Sequence, residues 1–201
     1  MPTAPDPLAG DVPAEPAPRG RRRFTPWVAA LLAVVVVVGW FVLSRNPRLE
    51  AEGSRWSSPA TVTCADESIS LHSSEDAAVT DGSPVYAALV RNSSQFPVTI
   101  SAEQPAGFRV AFTGVVDVST AASREPGSTT ASVSVPTGQT VSLVVSAASP
   151  LPALADDASV GIARVRLRTT TLGTTSSQDF VLPDQVMIYG GETPPDGYRC
   201  S

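Results

Sequence analysis

The sequence predicts an all-β protein, an antiparallel β-sandwich preceded by one transmembrane α-helix and a disordered N-terminal tail. One run, from Trp27 to Leu43, is apolar and uncharged. Beyond residue 60, short runs rich in β-branched residues alternate with turn residues. The first 20 residues hold six prolines and too few apolar groups to form a core. The predicted segments are a cytoplasmic tail (1–23), a transmembrane helix (24–44), a juxtamembrane stalk (45–59) and an extracytoplasmic β-sandwich (60–201).

The apolar run has the length and the borders of a single membrane-spanning helix. Its seventeen residues extend about 25 Å, at the short end of the range for a bilayer. Trp27 and Trp40 lie near its two ends and fit the interfacial aromatic belts. Four arginines precede the run and two follow it, which favours a cytoplasmic N-terminus in the plasma membrane. The four that determine this topology are Arg19, Arg21, Arg22 and Arg23.

A cleaved signal peptide is the competing interpretation of the same run. The charged region and the apolar core fit a signal peptide, but the core is long. The residues directly after Leu43 are Ser-Arg-Asn-Pro-Arg, and charges and a proline at that place disfavour cleavage. The sequence therefore predicts a retained anchor.

The rest of the chain predicts a sheet protein. No stretch after residue 60 sustains a helical period over three turns. Residues 161–168 alternate apolar side chains with arginines, so one face of that strand is buried and the other is in water. Within the stalk, Arg48–Glu52 predicts some helical character. The predicted strands are 60–65, 84–92, 96–102, 107–118, 129–135, 139–147, 160–171, 177–182 and 185–189. Such even spacing of short strands is typical of a β-sandwich.

Three segments resemble units of bacterial immunoglobulin-like (Ig-like) modules. Val85–Ile100 resembles a strand, an asparagine-containing turn and a second strand. Val135–Leu143 resembles the step in which proline-x-glycine precedes a strand, and residues 160–171 with 177–182 resemble a closing hairpin. The resemblance covers most of residues 60–190 and extends to small single-pass proteins common in actinobacteria. It implies an Ig-like sandwich that binds or scaffolds, and it carries over no functional residue.

The two cysteines predict a disulfide bond. Cys64 opens the predicted domain, and Cys200 is the penultimate residue. In an oxidising extracytoplasmic compartment, a bond between them would tie the first strand to the C-terminal tail. Two unpaired thiols, or a bridge to another chain, are the alternatives.

The residues that common catalytic and metal sites require are scarce. The chain has one histidine, His72, and no lysine. This composition excludes HExxH proteases, multi-histidine metal sites, Ser-Lys dyads and Walker A loops. The cysteines lie too far apart for a CxxC motif. We therefore predict no enzymatic activity and no cofactor, and we expect His72 to be an ordinary surface or edge residue.

Three arginines form the main candidate site. Arg164, Arg166 and Arg168 alternate on one predicted strand, so their side chains line a single face. That face could bind a phosphate-bearing polymer, a lipid headgroup or an acidic partner. The alternative is a solvated face whose charge is balanced by acids such as Asp156 or Asp157.

Two further motifs are weaker. An acidic group near a glycine turn lacks the alternating ligand spacing of a calcium loop. It comprises Glu75, Asp76 and Asp81. Asn92-Ser93-Ser94 fits the N-glycosylation sequon, which we do not expect a bacterium to use.

Together, these features predict a non-catalytic, membrane-anchored module of the cell envelope. It would bind or scaffold another envelope or membrane protein, or a cell-wall component, with the lipid bilayer as a further partner. The net charge of −5 argues against a nucleic-acid partner. The alternative is an accessory subunit of a membrane enzyme or transporter that acts through its helix. Gly39 and nearby alanines offer the small faces that packed membrane helices use.

Overall fold

The structure, a computed structural model, describes residues 26–45, 47–57, 61–64, 67–118, 127–148, 154–156 and 158–191. The chain divides into two compact units, Met1–Val37 and Val38–Ser201. The predicted tail at residues 1–23, with its four arginines, lies outside the described residues. So does Cys200, and the disulfide bond therefore stays a prediction.

Helix α1 comprises Pro26–Arg45 and contains the whole apolar run. Its described large apolar side chains are exposed, from 41% at Val28 to 82% at Trp27. Over the residues that the structure describes, no helix is long and apolar enough to cross a membrane.

Two sheets account for most of the described chain. The four-stranded sheet has the order β1-β4-β8-β6, and its neighbouring strands are antiparallel. The six-stranded sheet has the order β2-β3-β10-β9-β5-β7, with β3 and β10 parallel and the other neighbours antiparallel. The strands are β1 (Leu49–Ser57), β2 (Thr61–Cys64), β3 (Glu67–Ser73), β4 (Pro84–Asn92), β5 (Val98–Ala102), β6 (Phe108–Val116), β7 (Ser132–Val135), β8 (Thr140–Ala147), β9 (Ser159–Thr171) and β10 (Thr174–Tyr189), with a short helix α2 (Ala77–Thr80) between β3 and β4. The predicted all-β class is confirmed.

The main core contains apolar side chains from both sheets. Alternate residues of many strands point towards it, because side chains of a strand alternate between its faces. Tyr86, Phe112 and Leu143 of the four-stranded sheet are fully buried there. Ile100 and Leu167 of the six-stranded sheet are fully buried in the same cluster. At roughly 1.5–3 kcal/mol for each buried large apolar side chain, this shared core is the principal term that holds the two sheets together.

A second apolar cluster lies on the other face of the six-stranded sheet. Leu71 of β3 lies opposite Met187 of β10, whereas Val186 and Ile188 alternate with Met187 and belong to the main core. Both faces of β10 are thus apolar, as is typical of buried parallel strands, whereas β3 presents Ser70 and His72 on the face opposite Leu71. The members of the cluster are Ile69, Leu71, Met187 and Tyr189, each at most 8% exposed.

Asn92, at the end of β4, joins the two sheets. Its side chain is fully buried. Nδ2 donates hydrogen bonds to the carbonyl oxygens of Phe96 and of Val135, in β7 of the other sheet, both at 2.9 Å. Oδ1 accepts hydrogen bonds from the backbone amide of Ser94, at 3.0 Å, and from its hydroxyl. In the folded chain the sequon asparagine is therefore enclosed, and its amide fixes the β4–β5 turn.

The segment that the sequence assigns to a stalk contains a strand. Residues 49–57 form β1 and pair with β4, so the helical character predicted for Arg48–Glu52 is wrong. Gly53, at φ 111°, lies where the register shifts between Ala51 and Ser54. Glycine adopts this conformation without steric strain, whereas residues with a Cβ atom rarely adopt it. Strand β1 lies at the edge of its sheet and, among the described strands, pairs only with β4. Its sequence lacks the alternation of apolar and polar residues by which a strand is predicted.

Two further differences lie in the six-stranded sheet. Strand β3 was not predicted, although Ile69 and Leu71 alternate with polar residues there. The predicted strands 177–182 and 185–189 are parts of one strand, β10. Its ladder with β9 shifts register between Val181 and Val186, and Pro183 lies in that irregularity. A proline has no N–H for the ladder, and a bulge is where a strand tolerates it.

Candidate functional site

The three arginines of β9 lie on one exposed face of the six-stranded sheet. The residues between them, Val165 and Leu167, are buried in the main core. Arg164, Arg166 and Arg168 are exposed, as the alternation in the sequence predicts. Successive arginines on one face of a strand are about 6.6 Å apart along the chain, so the three guanidinium groups can contact one extended anionic partner.

Two acids, Glu103 and Asp179, lie beside the central arginine of this face. The Arg166 Nε lies 3.9 Å from Glu103 Oε2, and the two side chains are 62% and 50% exposed. Such an exposed pair contributes at most about 1 kcal/mol. Arg166 also lies opposite Asp179 of β10, whereas Arg164 faces Val181 and Arg168 faces Ser177. Among the described residues, no ion pair involves Arg164 or Arg168, so most of the positive charge is open to solvent.

A surface pocket of about 510 Å³ lies on the four-stranded sheet. Glu52 of β1 lines this pocket and contacts two other lining residues. Its Oε1 is 3.0 Å from Arg91 Nη1, and its Oε2 accepts a hydrogen bond from the Thr140 hydroxyl at 2.8 Å. Val115 and Val118 also line the pocket and are about half exposed. This pocket was not predicted, because the pairing of β1 with β4 brings together Glu52 and Arg91, 39 residues apart. No local pattern signals such a contact.

His72 is a core residue, and the prediction of a surface or edge residue is wrong. Its side chain is 1% exposed. The Nε2 atom lies 2.8 Å from the Ser70 hydroxyl, which points to the same face of β3. Burial lowers the pKa of His72 from 6.5 to about 4, and the nearby charge of Asp76 opposes this shift. The histidine is thus a neutral, hydrogen-bonded core residue. No sequence signal reveals this burial, because Ser70 and His72 alternate with apolar residues like the solvent-exposed face of a strand.

The acidic group near α2 shapes turns. Asp76 Oδ2 accepts a hydrogen bond from the Ser73 amide at 3.0 Å. Asp81 Oδ1 accepts one from the Ser83 amide at 2.8 Å, and hydrogen bonds from Ser83 lower the pKa of the Asp81 carboxyl. Glu75 is exposed. In the described part of the chain, no three His, Cys, Asp or Glu side chains are grouped so that they could hold a metal ion.

No family model matches this chain, and no curated protein matches it. No functional residue can therefore be assigned from a relative. The function has to be inferred from the exposure, charge and position of the described side chains, among which the arginine face is the most distinctive.

Proposed function

We propose that this chain is a membrane-anchored, non-catalytic module of the bacterial cell envelope. Its β-domain binds or scaffolds an acidic envelope or membrane protein, or an anionic cell-wall component. The observation that carries the proposal is the arginine face, Arg164, Arg166 and Arg168, exposed and mostly without acidic partners in the described residues. An open row of guanidinium groups favours anions, because each can form paired hydrogen bonds with carboxylate or phosphate oxygens.

The membrane anchor is inferred from the sequence. The run from Trp27 to Leu43 has no charged side chain, and four arginines precede it. Transfer of so many Val, Leu and Ala side chains from water into lipid is strongly favourable. In lipid, such a segment can hydrogen-bond all of its backbone N–H and C=O groups only as a helix. We infer a cytoplasmic N-terminus and an extracytoplasmic β-domain at the plasma membrane.

The Ig-like sandwich is part of the same proposal. Two sheets that share one core support it, as does the asparagine-containing turn between β4 and β5. Sandwiches of this kind present sheet faces and loops for binding while the core stays closed. The arginine face lies on such a sheet face.

Reporter fusions test the topology. An enzyme that is active only outside the cytoplasm, fused after Ser201, is expected to be active, and the same enzyme fused before Met1 is expected to be inactive. Replacement of Arg19, Arg21, Arg22 and Arg23 by glutamine should reduce the activity of the C-terminal fusion, because the charge bias is lost. Activity of the N-terminal fusion alone would contradict the proposal.

Partner recovery tests the arginine face. We expect the triple variant Arg164→Gln, Arg166→Gln, Arg168→Gln to recover its membrane partner about tenfold less well than the wild type after gentle detergent extraction. Arg109→Gln removes an exposed arginine from the other sheet and is the matched control; its recovery should equal that of the wild type. Unchanged recovery with the triple variant would remove the arginine face from the proposed function.

The same experiment separates the alternative, an accessory subunit that binds through its helix. In the structure, open space surrounds Gly39, so a side chain added there contacts nothing within 4 Å of its Cβ atom. A partner helix packed on this small residue would be displaced by Gly39→Leu. Loss of partner with Gly39→Leu and retention with the triple arginine variant would favour the accessory subunit.

A further inference from the structure

The β9–β10 turn carries an exposed leucine in a conformation that leucine rarely adopts. Thr171 pairs with Thr174, so Leu172 and Gly173 alone connect the two strands. Their φ angles are 51° and 79°, both positive, as the central residues of a type I′ turn require. Asn, Asp and Gly are usual at the first position, because a larger side chain is strained there. Leu172 is nevertheless 40% exposed, so its burial contributes little to offset this strain. A leucine at this position therefore indicates a role other than stabilising the fold.

The turn lies beside the C-terminal end of α1. The Ser44 hydroxyl is 3.2 Å from Thr174 Oγ1 and 3.2 Å from the carbonyl oxygen of Phe41. The side chain of Ser44 is fully buried. This contact places the β9–β10 turn next to the residues at which the chain leaves the apolar run.

Hydroxyl groups surround the exposed leucine. From Thr169 to Ser177, each residue other than Leu172 and Gly173 is threonine or serine. Thr169 and Thr171 are buried, and the other five are partly or fully exposed. Two hydroxyl pairs meet across the hairpin: Thr170 and Thr175 at 3.0 Å, and Thr169 and Ser176 at 2.9 Å. One apolar side chain within an uncharged, hydroxyl-rich surface suits the boundary between lipid headgroups and acyl chains, where apolar groups enter and polar groups stay hydrated.

We propose that the β9–β10 turn is a second membrane contact, in which Leu172 enters the interfacial layer of the bilayer beside the end of α1. The inference rests on the proposed function, because an anchored α1 is what brings the turn to the bilayer. The partner is phospholipid, and the contact holds the β-domain close to the membrane surface. A protein partner that covers Leu172 is the competing occupant, and the experiment distinguishes it.

Lipid quenching of a site-specific probe tests the contact. The full chain is reconstituted in nanodiscs of phosphatidylcholine and phosphatidylglycerol, with a genetically encoded fluorescent residue at Thr175, at Val181 or at Val35. Thr175 and Val181 are both exposed on β10, but Val181 lies roughly 20 Å further from the turn. With nitroxide-labelled headgroups as the quencher, we expect quenching at Thr175 to exceed that at Val181 by about threefold.

The variant Leu172→Asn tests the turn contact, and the probe at Val35 tests the anchor. Leu172→Asn suits the positive φ and so should retain the fold, yet it should lower quenching at Thr175 to the level at Val181. Equal quenching at Thr175 and Val181 in the purified chain, or no effect of Leu172→Asn, would overturn the inference. A probe at Val35 that acyl-chain nitroxides fail to quench would overturn the anchor itself. Quenching at Val35 without quenching at Thr175 would overturn the turn contact alone.

Discussion

Replacement of Asn92 by alanine is expected to lower the free energy of unfolding by about 3 kcal/mol. The fully buried amide makes hydrogen bonds to the carbonyl oxygens of Phe96 and Val135 and to the amide of Ser94. Alanine would remove the partner of the buried Val135 carbonyl and of the partly buried Ser94 amide, whereas the Phe96 carbonyl keeps the hydrogen bond from the Ser94 hydroxyl. The cost of a buried group that loses its partner exceeds the gain from its hydrogen bond. Urea denaturation of the detergent-solubilised chain, followed by circular dichroism of the sheet signal, measures the change.

Gln95 offers the matched control for Asn92. It carries the same amide group three residues later in the same turn, and it is exposed. Gln95→Ala should therefore change the free energy of unfolding by less than about 0.5 kcal/mol. If Asn92→Ala were as stable as Gln95→Ala, the proposed link between the two sheets would be wrong.

The stability of the β-domain is expected to fall by about 2 kcal/mol between pH 7.5 and about pH 5, because of His72. Burial lowers the pKa of His72 to about 4 in the folded chain, against 6.5 in the unfolded chain. Between these two values the unfolded chain binds the proton and the folded chain does not. The stabilisation is therefore fully present above pH 6.5 and is lost as the pH falls towards 4.

Because the chain has a single histidine, a change in stability between pH 7.5 and about pH 5 can be assigned to His72. No other side chain of the chain has an ordinary pKa between those of the carboxyl groups and neutrality, since the sequence contains one histidine. His72→Gln keeps a polar group near the Ser70 hydroxyl but does not titrate, so its stability should be nearly constant from pH 7.5 to about pH 5. Urea denaturation over this range measures both chains. A flat profile for the wild type would contradict the buried, neutral state of His72.

Local patterns account for what could be predicted of the candidate site. The arginine face was visible because Arg164, Arg166 and Arg168 alternate with buried neighbours, and a strand repeats every two residues. The pocket that Glu52 lines could not be predicted from the sequence. It depends on the β1–β4 pair, and an edge strand as polar as β1 carries no periodic signal.

His72 shows why burial of a single polar residue escapes a sequence pattern. Ile69 and Leu71 alternate with Ser70 and His72, a pattern typical of a strand with one buried face and one face in water. In the structure both faces are buried. Ile69 and Leu71 belong to the second apolar cluster, and Ser70 and His72 lie beside Val186 and Ile188 of the main core. The hydrogen bond between these two side chains lowers the cost of that burial.

The sequence by itself determined the all-β class, the apolar run and its arginine flank, and the face on which the β9 arginines lie. Each of these depends on composition or on a period of a few residues, which the chain carries locally. The tertiary structure alone decided the parallel β3–β10 pair, the enclosure of Asn92 between two sheets and the contact of Ser44 with Thr174, 130 residues away. These contacts join segments that are distant along the chain, and their energies depend on which surfaces the whole fold brings together.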